Sequence, residues 1–186
     1  MERMRNLSVT TAEQLLVLHD PPWQHELWHG ELRRMTPPGH WHGDLCLLLG
    51  EFVSHHVRTR KLGKAYGNDT GFVLARDPDT VLGPDIAFVR RARLPRRRTR
   101  GYFEGPPDLA IEVRSPSDSR RAITAKARAW LAHGTPEVWV VDPEDETVKV
   151  FRGSTTPTLL QAHDTLRGSG DLAEFALPLR ELFADD

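Results

Sequence analysis

The sequence predicts an α/β domain, a central mixed β-sheet flanked by helices. Three observations carry this: apolar residues at helical spacing from about residue 40 to 61, a change afterwards to alternating or short apolar runs, and a strand-helix-strand unit between residues 108 and 141. That unit should be a right-handed parallel crossover, because such connections pack back onto their sheet with that hand. A length of 186 residues suits one domain with its own core, so we expect a single domain over residues 1–186.

Thr10 followed by Glu13 has the spacing of a capping box, and Leu15, Leu16 and Leu18 follow it, which predicts a short helix over 10–19 ended by Asp20-Pro-Pro22. Residues 26–35 read as two short strands about a turn at Gly30, closed by Pro37-Pro38-Gly39. Leu45, Leu48, Leu49, Phe52, Val53 and Val57 then define the first long helix, with Gly63 as its C-terminal stop. Lys64 to Tyr66, Phe72 to Ala75, Asp85 to Val89 and Asp108 to Arg114 are expected to be successive strands of one sheet, separated by Gly and Pro. Ser117 or Asp118 caps a second helix through about His133. Two strands follow, Glu137 to Val141 and Thr147 to Phe151, joined by a turn at residues 142–145, and Asp171 to Phe183 suggests a last strand and a helical turn.

With 25 basic and 26 acidic side chains the total charge gives no hint of a polyanionic partner, so any such hint must be local. The single cysteine, Cys46, sits among leucines as a buried thiol would, and a disulfide framework is excluded. No apolar run approaches the roughly 20 residues of a membrane span. The first residues lack the apolar stretch of a signal peptide, so the expectation is a soluble, cytoplasmic protein without membrane contact.

The informative anomaly lies in the strand from Asp108 to Arg114. Alternation puts Leu109, Ile111 and Val113 on one face and Ala110, Glu112 and Arg114 on the other. A central strand covered on both sides should be apolar on both, and Glu112 breaks that rule. The strand before it begins with another acid, Asp85. Buried carboxylates without partners would cost several kcal/mol each, so a cation or strong donors must be near, with a lysine and a metal ion as the two candidates. The following helix places Lys126 in the stripe Ala122, Ile123, Lys126, Ala127, Trp130 and Leu131, facing the sheet. Asp85 and Glu112, with the carbonyl of Val113, make a hard oxygen site suited to Mg²⁺, with Mn²⁺ as a substitute. Lys126 beside it is suited to orient or help deprotonate a water that attacks phosphorus, the chemistry of phosphodiester hydrolysis.

Pro84-Asp85 with Glu112-Val113-Arg114 resembles the PD-(D/E)xK signature of restriction-endonuclease-like nucleases. The ordered blocks His25 to Leu32, Met35 to Pro38, His42-Gly43, Gly67 to Gly71, Pro84 to Val89, Asp108 to Val113, Ser115 to Asp118, Lys126 and Val138 to Asp142 resemble more narrowly a large bacterial family of restriction endonucleases in that superfamily. The resemblance covers roughly residues 10 to 185. It implies a restriction-endonuclease-like fold, DNA as substrate, Asp85 and Glu112 as metal ligands, and Lys126 in place of the lysine of the third motif. It also puts Glu31 and His42 at positions bordering the site. Arginine at position 114 departs from the pattern, because a guanidinium stays protonated and cannot act as a base. His29 and His25 depart from it too, without touching the metal pair.

Several residues admit two readings from sequence alone. Asp85 and Glu112 could be strand-end acids bound to backbone amides or to Arg114, and Lys126 could extend along its stem to solvent. Glu31 could decorate a hairpin, and His42 could be a satisfied core histidine. The histidines 25, 29, 40 and 42 resemble a zinc cluster but come without a cysteine pair or a H-E-x-x-H helix, which argues against zinc. The arginines at 90, 91, 93, 96, 97, 98 and 100 could grip a nucleic-acid backbone beside the cleavage site, with Arg96, Arg97, Arg98, Arg100 and Arg114 as contacts, or form a solvated loop. The five tryptophans suit packing better than base stacking. The leading expectation is a metal-dependent endonuclease. A catalytically silent nucleic-acid-binding module and an oligomeric interaction protein are the alternatives, and a homodimer stays open.

Overall fold

The computed structural model describes residues 9–68, 70–97 and 99–184. Helix α1 (Ala12–Leu16) is shorter than expected and its cap is shifted by one residue. Thr11 Oγ1 accepts from Gln14 N at 3.3 Å, and Gln14 Oε1 accepts from the backbone of Thr10 and Thr11. Glu13 is not free to close a box with Thr10, because its carboxylate is bound to Arg76. Strands β1 (Gln24–Trp28) and β2 (Glu31–Met35) form an antiparallel hairpin. Its two-residue turn has positive φ at both His29 (51°) and Gly30 (78°), as a type I′ turn requires.

Helix α2 (His40–Thr59) buries Leu45, Leu49, Val53 and Val57 along one stripe. Gly63 is not its stop: the helix ends at Arg60, and Gly63 opens strand β3 (Gly63–Tyr66). Glycine is needed there for close approach, since a Cβ would lie 2.0 Å from the Val89 carbonyl oxygen on the neighbouring strand. Next come β4 (Phe72–Ala75), β5 (Thr80–Leu82), β6 (Ile86–Arg90), β7 (Phe103–Glu104) and β8 (Leu109–Val113). Helix α3 (Arg120–Ala132) is capped by Ser119, whose Oγ accepts from Ala122 N at 3.1 Å. The expected caps are used elsewhere: Asp118 Oδ2 accepts from Ser115 N and Oγ, and Ser117 Oγ bonds Ser115 Oγ. The remainder is β9 (Glu137–Asp142), β10 (Thr147–Arg152), β11 (Thr158–Gln161), β12 (Thr165–Arg167), β13 (Ala176–Pro178) and α4 (Leu179–Phe183).

These strands do not make one sheet. A six-stranded mixed sheet has the order β11-β10-β9-β8-β6-β3, and a five-stranded sheet has the order β2-β1-β5-β4-β7. Phe72 to Ala75 was expected beside its sequence neighbours but belongs to the second sheet. The three-residue β5, fully buried and too short to show a period, ties β4 to β1 and draws it there. The parallel pairing of β8 with β9 across α3 is as expected.

One face of the six-stranded sheet, with Leu109, Ile111 and Trp139, packs on α2 and on Leu166, Phe175 and Leu179 from the end of the chain. The other face, with Ala87, Ala110, Val138 and Val140, meets α3 and the Phe72 and Leu82 side chains of the second sheet. Burying each large apolar side chain in these layers contributes roughly 1.5–3 kcal/mol. Among the described residues no helix is long and apolar enough to cross a membrane.

Candidate active site between the two sheets

Strands β6 and β8 pair antiparallel with Ile86 opposite Ile111 and Ala87 opposite Ala110. One further step of that register sets Asp85 across from Glu112. Glu112 projects to the side that α3 covers, while Asp85, just before β6 begins, turns its carboxylate to the end of β8 and to α2. On α3 the stripe Ile123, Lys126, Ala127 and Trp130 has the i, i+3, i+4, i+7 spacing of a single helical face, and three of its members are core residues. The fourth, Lys126, carries its charge to the acids.

The Lys126 ammonium lies 3.1 Å from Glu112 Oε2 and 2.9 Å from Glu26 Oε1, and it donates to the Gly83 carbonyl at 2.9 Å. All three of its donors are therefore used. Each acid is gripped in turn by an indole: Trp130 Nε1 donates to Glu112 Oε1 at 2.6 Å, and Trp28 Nε1 donates to Glu26 Oε2 at 3.0 Å. Gly83 N, just past the end of β5, also donates to Glu26 Oε1 at 3.0 Å, a bond within the second sheet. Asp85 Oδ2 accepts from Val113 N at 2.7 Å, while Oδ1 lies 3.4 Å from Nε2 of the buried His42 on α2. The other ring nitrogen of His42 is 3.4 Å from Cys46 Sγ, one helical turn on.

Burial pushes the Glu112 carboxyl up to about 8; the Lys126 charge opposes this, while those of Asp85 and Glu26 add to it. For Lys126 burial acts in the opposite sense, but the charges of Glu112 and Glu26 outweigh it and raise the ammonium further above its ordinary range. Burial would lower His42; the hydrogen bond and charge of Asp85 reverse that, so its pKa is raised. Burial, helped by the charges of Asp85 and Glu112, raises the Cys46 thiol far enough to keep it protonated.

Two carboxylates, Glu26 and Glu112, thus share one ammonium with Asp85 on the same cavity wall, and the Glu112 carboxyl is raised for want of more positive charge. A divalent cation would supply it. The ligand atoms of His42, Cys46 and Asp85 lie within 4.8 Å of one another and can hold such an ion. Because the thiol stays protonated, Cys46 is a poor donor, and the oxygens of Asp85 and Glu112 favour a hard ion over a soft one.

Asp85, Glu112, Val113, Lys126 and His42 all line a single cavity of about 790 Å³, together with Glu26, Trp28, Arg33 and Arg34 from the hairpin. Glu31 is not among them: it is exposed at the turn end of β2. Arg114 is buried, 2.9 Å from Asp142 and paired also with Glu144, so the nucleic-acid contact expected of it is not available. The arginine run is not beside the acids either. Strand β6 leads away from Asp85, which puts Arg90 roughly 16 Å along the strand. There Arg90 and Arg93 pair with Asp108, and the exposed Arg96, Arg97 and Arg100 do not line the cavity. Arg98 lies outside the described residues. His25 pairs with Asp20 and His40 is exposed, so the histidines form no zinc cluster among the described residues.

Glu26 is the site residue that reading the sequence missed. Its only signal was alternation: with Leu27 in the core beneath α1, Glu26 and Trp28 must face the other way. What they face became visible only with the second sheet.

A mixed sheet with helices on both sides, and acids at the matched ends of two adjacent strands, defines a restriction-endonuclease-like α/β protein. A family model for Uma2, described as "Putative restriction endonuclease", matches residues 12–180, and the chain belongs to that family. The fold is also that of a solved structure, "a putative nuclease belonging to DUF820 from Anabaena variabilis ATCC 29413". It is 23% identical with a TM-score of 0.81, over 93% of this chain and 97% of that one. No curated protein matches the sequence.

Proposed function

We propose that the protein is a divalent-metal-dependent endonuclease that hydrolyses phosphodiester bonds of DNA. The observation that carries this reading is Lys126, held between the buried Glu26 and Glu112 on the wall of a cavity that also takes in Asp85. Asp85, Glu112 and the Val113 carbonyl would hold the ion, Mg²⁺ or Mn²⁺ by the hardness of the donors. When bound, the ion would neutralise phosphate charge and act as a Lewis acid. Lys126 is kept charged by its two acids, so its part is to donate, steadying negative charge that develops on phosphate oxygens, not to abstract a proton. His42 holds Asp85 in orientation from behind. Glu26 positions Lys126, and the arginine at 114 is irrelevant to the chemistry because its side chain is committed elsewhere.

The test is cleavage of plasmid, linear and single-stranded DNA with Mg²⁺, Mn²⁺ or EDTA. Activity should require the metal and vanish in Asp85→Ala and Glu112→Ala; cleavage that survives both would overturn the assignment. A second reading, a silent nucleic-acid-binding module, is favoured by one observation: every oxygen of Asp85 and Glu112 already has a donor or cation beside it. DNA binding without heat of metal uptake in calorimetry would support that reading over the first.

A further inference from the structure

We propose that Arg33 is the phosphate clamp of this cavity, holding a backbone phosphate of the bound nucleic acid from a platform made by Trp28. This rests on the nuclease reading above, and it identifies which cation makes the substrate contact.

A cavity whose base carries Glu26, Asp85 and Glu112 repels a polyanion unless its walls offer positive charge that is not already used. Three Lys or Arg side chains line it: Lys126, Arg34 and Arg33. Lys126 is consumed by Glu26 and Glu112. Arg34 lies 2.9 Å from Asp20, which also takes His25. His42 is turned to Asp85. Among the described residues, Arg33 alone of these has no carboxylate within ion-pair distance, and it is exposed.

It is nevertheless not loose. Its guanidinium carbon sits 4.2 Å from the centroid of the Trp28 ring, close enough for a cation–π contact. The β1–β2 register places Glu26 opposite Arg33, so strand pairing fixes the relation of arginine, indole and acid. The indole in turn donates to Glu26, which holds Lys126. One connected path therefore runs from the outer cation through Trp28 and Glu26 to the lysine beside Glu112. A guanidinium stacked on a ring keeps its N–H edges directed outward, the geometry that binds phosphate oxygens with two parallel bonds.

The experiment is fluorescence anisotropy with a labelled 20-nucleotide single strand and its duplex, in EDTA so that nothing is cut, over a series of NaCl concentrations. Wild type, Arg33→Ala, Arg33→Lys and Arg34→Ala are compared. We expect Arg33→Ala to bind roughly tenfold more weakly and to lower the slope of log K against log salt by about 0.9 on duplex or 0.7 on single strand, the loss of one phosphate contact. Arg33→Lys should restore the slope while recovering only part of the affinity, since an ammonium does not form the paired bonds. Arg34→Ala should leave the slope as in wild type. If wild type binds and Arg33→Ala matches it in affinity and slope, the clamp is refuted and the nuclease reading stands. If wild type neither binds nor cleaves DNA, both readings fall.

Discussion

Replacing Lys126 by methionine keeps most of the stem but strands Glu26 and Glu112, both nearly fully buried, without their shared cation. Removing one partner of a buried ion pair costs about 3–5 kcal/mol, far more than the pair contributes relative to an apolar substitute. We therefore expect Lys126→Met to lose stability of that order in urea unfolding at pH 7. The double variant Lys126→Met with Glu26→Gln should recover part of it, because adjacent sites in one network are not additive. Glu31→Gln should change neither activity nor stability beyond about 0.5 kcal/mol, since the side chain is exposed and outside the cavity. The contrast shows why one acid was legible and another was not. Glu112 announced itself by breaking a run of apolar residues in a strand that had to be covered on both faces. Glu26 sits in a hairpin strand, where an acid facing outward is ordinary, and only the packing of one sheet against α3 and the other turns that face inward.

At the level of elements, α3 works as a lever that brings Lys126 and Trp130 down on Glu112. Its stripe was readable because thirteen residues span more than three turns, long enough for a period to show. Strands β5, β7, β12 and β13 have two or three residues each, too few for any period, and their pairing is imposed by partners distant in sequence. That is why the second sheet could not be anticipated. If α3 acts as described, Trp130→Phe should keep an aromatic ring in the core but leave Glu112 Oε1 without its donor and some volume unfilled, costing at least about 1–3 kcal/mol in thermal or urea unfolding. Ser119→Ala, which removes only the helix cap, should cost about 1 kcal/mol and leave DNA cleavage per folded molecule unchanged. A Trp130→Phe protein as stable as wild type would mean that the indole N–H bond to Glu112 adds nothing net to stability.

For the whole molecule, closing two sheets and α3 around Glu112 couples folding to protons and to metal. Burial pushes the folded Glu112 carboxyl up to about 8, against about 4.3 for the unfolded chain. Between those values the folded state binds a proton that the unfolded state has released, so its contribution to stability declines as pH rises through that window and is lost above about 8. A divalent cation held by Asp85 and Glu112 would take the place of that proton, and its binding should therefore strengthen with pH. In EDTA we expect the unfolding free energy to drop between about pH 5 and pH 8. Mg²⁺ at 100 times its dissociation constant should restore about 2.7 kcal/mol, and at a fixed concentration it should do more at pH 8 than at pH 5. Glu112→Gln should flatten the decline and abolish the Mg²⁺ increment, while Asp85→Asn should abolish the increment alone. A Mg²⁺ effect that is equal at both pH values, or that persists in both variants, would place the ion elsewhere and leave the buried acids a purely structural fixture of the fold.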